Sequence, residues 1–174
     1  MKATILTVLI AAAASLGEAQ ASGPSELNDL EIAHVAYTAD NIDIRYAHLA
    51  LAISQNPEIR TFAQTMIRDH EAVNEAALAL LGKLGAQAQD NDFSKTLNQN
   101  AEMIINDLAA LRGEDFDMAY ATNELAYHKA VNDLVENTYI PSIDNDEVKA
   151  LFEQGLEIFK VHEGHAEAMV SSLK

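Results

Sequence analysis

The sequence predicts an all-α protein: a four-helix bundle whose second and third helices are joined by a long, partly helical crossover. Three observations lead there. Strand signals are almost absent, while Ala, Leu, Glu, Gln and Lys dominate. Gly and Pro stand only at a few points that read as punctuation. Between those points apolar residues recur at alternating spacings of three and four, the seam of a helix that packs into a bundle.

The chain starts with a different kind of segment. Met1 and Lys2 make a short basic start, an apolar run follows from Ile5 through Leu16, and Ala19-Gln20-Ala21 supplies the small-x-small pattern of a signal-peptidase site. The apolar core is about a dozen residues, short of the roughly 20 a spanning helix needs. Residues 1–21 are therefore expected to be a cleavable signal peptide, and residues 22–174 a single exported domain, periplasmic or secreted. No integral membrane span is expected in the mature chain. There is no cysteine, so disulfides, thiolate metal sites and Cys nucleophiles are excluded, and stability rests on packing.

The helices follow in order. The first is expected over Glu26–Ser54, with Ile32, Val35, Ala39, Ile42, Tyr46, Leu49 and Ile53 as its seam; Asn56-Pro57 ends it. The second runs from Pro57, well suited to a first turn, to Leu84, and Gly85 stops it. Its seam is Ile59, Phe62, Met66, His70, Val73, Ala77, Leu81 and Leu84. Ala86 to Phe93 reads as a loop, and Ser94 caps a shorter connecting helix that reaches Leu111 before Arg112-Gly113. Asp115 caps the next, from Phe116 to Tyr139, with Tyr120, Tyr127, Val131 and Leu134 inward; Ile140-Pro141-Ser142 breaks it. The last covers Asn145–Ser172, its seam running Val148, Phe152, Gly155, Phe159, His162, Ala166, Met169 and Leu173. Short turns after Ser54 and Tyr139 make two antiparallel pairs, and the stretch from Ala86 to Gly113 is long enough to travel the bundle's height. Two hairpins joined by one long crossover is the ferritin-like arrangement; a five-helix up-and-down bundle fits the same helices.

Charge narrows the function. The formal net charge is −16, with acidic residues spread along the chain. Phosphate contacts need clustered Lys and Arg, so nucleic acid is not an expected partner. An anionic membrane surface would also repel this chain. A homo-oligomer is compatible with the sequence, and no protein partner can be named from it.

The residues able to do chemistry are mainly histidines: His34, His48, His70, His128, His162 and His165. His70 and His162 stand on apolar seams. With a rise of about 1.5 Å per residue, aligned helix midpoints put Asp43, His70, His128 and His162 near one level, one from each main helix. Burying such groups without partners would cost a few kcal/mol each, and a shared metal, a hydrogen-bonded network or a water cluster would remove that cost. Glu124 and His128 are four apart, and His162 and His165 three apart, spacings that let two side chains meet one ion. Asp69 and Asn74 are placed to orient ligands. Imidazole with carboxylate suits Zn, Cu, Fe or Ni better than Mg or Ca; Met66 and Met169 raise Cu(I), although methionine on a bundle seam is ordinarily core filler. The candidate metal ligands are thus His70, His128, His162, His165, Glu124 and Asp43, with no catalytic residue assigned. A di-iron oxidase is disfavoured, because the one Glu-x-x-His, Glu31 to His34, lies about 10 Å from that level by the same rise. His48 has no companion and is expected to be exposed. No hydrolase elbow, His-Glu-x-x-His or phosphate-binding glycine loop is present.

Three segments also carry a resemblance. Phe62-Ala63-Gln64-Thr65-Met66-Ile67-Arg68-Asp69-His70 with Asn74, then Leu111-x-Gly113-x-x-Phe116-Asp117-x-Ala119-Tyr120 with His128, and Tyr139-Ile140-Pro141 through Lys149-Ala150-Leu151 with His162 and His165-Ala166, resemble an exported bacterial family. It is known as domain of unknown function 4142 and is assigned to the ferritin-like superfamily. The likeness covers nearly all of the mature chain. It implies the fold and no settled activity. Glu157 stands where the family usually has Pro, and Asp43 where a Glu is common. The expectation is a ferritin-like protein that binds a transition metal without turnover. The alternative is a non-enzymatic envelope protein, structural or stress-related, whose buried histidines form a polar network.

Overall fold

The computed structural model describes residues 23–174. The expected signal peptide, residues 1–21, lies outside them. The described chain is helical, with a 3-10 turn at Pro24–Glu26 followed by α1 Asp29–Ile53, α2 Pro57–Leu84, α3 Asp92–Ala109 and α4 Gly113–Leu134. A π-helical turn at Val135–Tyr139 leads into the short α5 Ile140–Ser142, and α6 Asp146–Ser172 closes the chain. Among the described residues no helix is long and apolar enough to cross a membrane.

Side-chain caps fix most helix starts. Asn28 accepts from Leu30 and Glu31 at the start of α1, and Glu31 returns a bond to the Asn28 amide. Asn56 caps α2 ahead of Pro57, and Asn145 caps α6. The C-terminus of α2 turns at Gly85, whose φ of 62° suits glycine. Three starts differ from expectation. The first helix begins at Asp29 rather than Glu26, which belongs to the preceding 3-10 turn. Asn91, not Ser94, caps α3, and the Ser94 hydroxyl instead accepts the Asn91 amide three residues back. The next helix begins at Gly113 rather than after Asp115. The predicted break at Ile140-Pro141-Ser142 is also shifted. The backbone widens to a π turn ahead of Pro141, whose ring in a regular α-helix would clash with the Asn137 carbonyl, and stays helical until Ile143.

Contacts at the helix ends set the directions. Ser54 Oγ donates to Asp117 Oδ1 at 2.5 Å, so α1 ends where α4 begins. Asp29 accepts from the amides of Asp144 and Asn145, so α1 and α6 begin together. Ser172 donates to Glu58, bringing the end of α6 to the start of α2. The four long helices α1, α2, α4 and α6 therefore form a bundle in which α2 and α4 are parallel, as expected for two hairpins and a crossover. The crossover helix α3 lies along α1, held by Arg45 to Glu102 at 2.5 Å and by His34 to Ser94 at 3.1 Å. A five-helix up-and-down order would instead set α3 mainly against α2.

The core has two apolar clusters. One, around Ile42, Tyr46, Ile59, Phe62, Met66, Phe116, Tyr120 and Met169, fills the end where α2 and α4 begin. The other, around Leu27, Ile32, Val35, Val135, Tyr139, Ile143 and Val148, fills the opposite end. Buried polar side chains occupy the layer between them: Asp40, Asp43, His70, Asn74, Glu124, His128, Asn132 and His162. The α2 seam stops at Leu81, and Leu84 is exposed.

Candidate metal centre

Each long helix delivers one face of polar side chains to that middle layer. On α1, Asp40 and Asp43 are three apart; on α4, Tyr120, Glu124 and His128 follow at intervals of four; both spacings keep side chains on one helix face. The α2 helix supplies His70 and, beside it, Asp69; α6 supplies His162. One ring nitrogen each from His70, His128 and His162 lies within 4.8 Å of the others. Ligand atoms of Asp43, Glu124 and His128 meet the same limit. The three imidazole rings have centroids 5.4 to 5.9 Å apart. Phe159 stacks on His70 at 4.7 Å and holds its ring plane.

Each histidine is anchored through one nitrogen, and the other faces the layer. His70 Nδ1 is 2.8 Å from Asp40 Oδ1. His128 Nδ1 is 3.0 Å from the Glu124 carbonyl oxygen, and His162 Nε2 is 3.0 Å from Asp69 Oδ2. These acceptors fix the orientation of all three rings. The nitrogens left without a hydrogen-bond partner are His70 Nε2, His128 Nε2 and His162 Nδ1, and both carboxylate oxygens of Asp43 and of Glu124 are likewise unpartnered. Asp43 Oδ2 stands 2.6 Å from His70 Nε2 and 3.5 Å from His128 Nε2, close enough for strong attraction. Each such buried polar atom costs about 1–3 kcal/mol when left unpaired.

Charge is arranged unevenly. Burial works against the charged form of His70, but Asp43 and Asp40 overcome it and push its pKa up to about 10. Burial would raise Asp43, yet His70 and His128 hold it below the usual carboxylate range. Glu124 is driven well above that range by burial and by the charge of Asp43. Asp40 is raised by burial, partly offset by His70. Burial lowers His128, and with the charges of His70 and His128 it holds His162 down to about 4 against the pull of Asp69. At neutral pH this gives a buried imidazolium beside Asp43 and two neutral imidazoles.

Among the predicted site residues, the structure brings together Asp43, His70, Glu124, His128 and His162. It leaves His165 outside: that ring is exposed on the next turn of α6, because a step of three from buried His162 carries it past the edge of the seam. Of the residues expected to orient ligands, Asp69 holds His162, while Asn74 is buried with its Oδ1 unpartnered. Met66 and Met169 lie in the apolar cluster as core residues. His48 is exposed, and His34 is half-buried against Ser94 on the crossover. The sequence reading missed Asp40, although its spacing of three from Asp43 was the available signal. Tyr120 is the core aromatic expected, with its hydroxyl beside Glu124 at the edge of the polar layer.

The fold and this layer define an all-helical bundle with a buried histidine and carboxylate centre. The chain belongs to the family described as Domain of unknown function (DUF4142), whose model matches residues 13–169. The structure is similar to the crystal structure of a DUF305 fragment from Deinococcus radiodurans, with a TM-score of 0.72 and 14% identity, covering 87% of this chain and 98% of that one. At that identity the likeness establishes the fold alone. No curated protein matches the chain.

Proposed function

We propose that this protein is a non-enzymatic, ferritin-like metal-binding protein of the periplasm or extracellular space, holding one transition metal ion through His70, His128 and His162 with Asp43 as the fourth donor. The observation that carries this reading is the pattern of anchoring. Each of three imidazoles is tied by one nitrogen to an acceptor and turns its other nitrogen toward a common layer, where the Asp43 carboxylate faces those of His70 and His128. Rings held in this way bind metals more tightly than free ones. Three imidazoles and a carboxylate suit Zn(II), Fe(II) or Cu(II). Met66 and Met169 belong to the apolar cluster as core residues, so the reading rests on the imidazoles and the carboxylate. Binding displaces the proton from His70, so affinity falls as pH is lowered.

Titration of the purified protein with Zn, Cu and Fe salts tests the reading. Tight stoichiometric binding that His70→Ala abolishes is expected. Absent binding, or binding indifferent to that substitution, excludes it.

A second reading has its own support. The His70–Asp40 pair joins α1 to α2, and the His162–Asp69 pair joins α2 to α6. Such a network can fix helix register with no metal, in an envelope protein of structural or stress-related role. Melting separates the two: a chelator lowers the melting temperature of a metal protein and leaves a polar network unchanged.

A further inference from the structure

A single ion does not account for the whole buried layer. Resting on the metal-binding reading above, His70, His128 and His162 supply three nitrogen donors and one Asp43 oxygen completes a four-coordinate shell. Glu124, the hydroxyl of Tyr120 and the second oxygen of Asp43 then remain buried with no partner but one another. Glu124 is fully buried, as is Tyr120, whose ring stacks on Phe116 at 6.0 Å. These groups stand on one face of α4, and Glu124 reaches within 4.8 Å of both Asp43 and His128. His128 stands between two sets of donors: His70 and His162 are within its reach on one side, Asp43 and Glu124 on the other, and the oxygen donors come from α1 and α4.

We infer that the layer contains a second cation half-site, built from Asp43, Glu124 and Tyr120, so that a fully loaded chain holds two ions with Asp43 between them. An oxygen-only set of carboxylates and a phenol is hard in character, so its occupant is a hard divalent cation of the Mn(II) or Mg(II) kind, distinct from the ion on the imidazoles. The Asp43 carboxylate is the natural bridge. It faces His70 and His128 on one side and Glu124 on the other, and its negative charge offsets the repulsion between two cations.

The experiment strips the purified protein with chelator, loads one equivalent of Zn(II), and then adds Mn(II) followed by electron paramagnetic resonance. One bound Mn(II) per Zn-loaded chain is expected. In Glu124→Gln the Mn(II) is lost while one Zn(II) stays, and in Tyr120→Phe Mn(II) binding weakens roughly tenfold. The phenylalanine variant keeps its ring stacking and serves if the glutamine variant fails to fold. Zn-loaded protein that binds no Mn(II), or binds it equally well in both variants, overturns the second half-site and leaves the first intact. A protein that takes up no Zn(II) overturns both.

Discussion

Two neighbouring regions of the bundle are built from the same helices on different terms. At the end where α2 and α4 begin, Ile59, Met66, Phe116 and Met169 pack with almost no exposure and need nothing but one another. One turn along α2 from Met66 stands His70, and the layer around it is as deeply buried but polar. There the polar atoms find only half of their partners. Burial in the first region is itself the stabilising term, whereas burial in the second costs free energy until something ionic completes it. The apolar end holds the four helices at a fixed spacing, and that spacing places the imidazoles.

The comparison can be broken most forcefully at the apolar end. Ile59→Ala, at a fully buried position, is expected to cost about 2–5 kcal/mol in chemical denaturation, by the same amount with and without metal. His70→Ala acts on the other region. With Zn(II) at 100 times its dissociation constant, wild-type stability should rise by about 2.7 kcal/mol, and the variant should show no such rise. A metal-linked effect at Ile59, or none at His70, would erase the distinction between the regions.

Metal-free stability should also depend on pH through the polar layer. His162 is held down to about 4, so an unfolded chain gains a proton there first as pH falls. The stabilisation from its neutral form is complete above about pH 6.5 and is lost as pH falls through about 4. His70 is pushed up to about 10, so its charged form stabilises fully below about pH 6.5, and that contribution is lost as pH rises through about 10. Melting temperature measured across pH should peak between these windows, near neutrality. A flat profile would mean that the layer does not carry the charges assigned to it.

The smallest effects sharpen the boundary. Gly155 lies inside α6, where an added Cβ would sit 3.8 Å from Phe159 and 4.0 Å from Val73, ordinary contact distances. Gly155→Ala should stabilise by about 1 kcal/mol through helix propensity. His165→Ala should change stability by less than about 0.5 kcal/mol and leave metal content unchanged.

Helix positions and the crossover were legible because apolar spacing and Gly or Pro punctuation are local signals. The level shared by Asp43, His70, His128 and His162 was legible from helix rise alone, since helix hairpins set heights rigidly. What the sequence concealed depended on rotation rather than height. His165 has the right spacing from His162 but turns outward, and Asp40, next to seam residue Ala39, turns inward to His70. A few tens of degrees about a helix axis separate a ligand from a surface residue, and periodicity does not resolve them. The shift of the α3 cap from Ser94 to Asn91 has a similar origin: both residues can cap, and the tertiary bond from Asn91 Nδ2 to the Glu31 carbonyl favours Asn91.

The most direct measurement is anomalous diffraction from crystals grown with Zn(II), recorded at the zinc edge. A peak inside the bundle, about 2.0–2.1 Å from His70 Nε2, His128 Nε2 and His162 Nδ1 after the rings close on it, is the predicted result. Peaks confined to surface carboxylates, with the middle layer empty and its histidine pairs undisturbed, would contradict it and leave the polar network as the role of these residues.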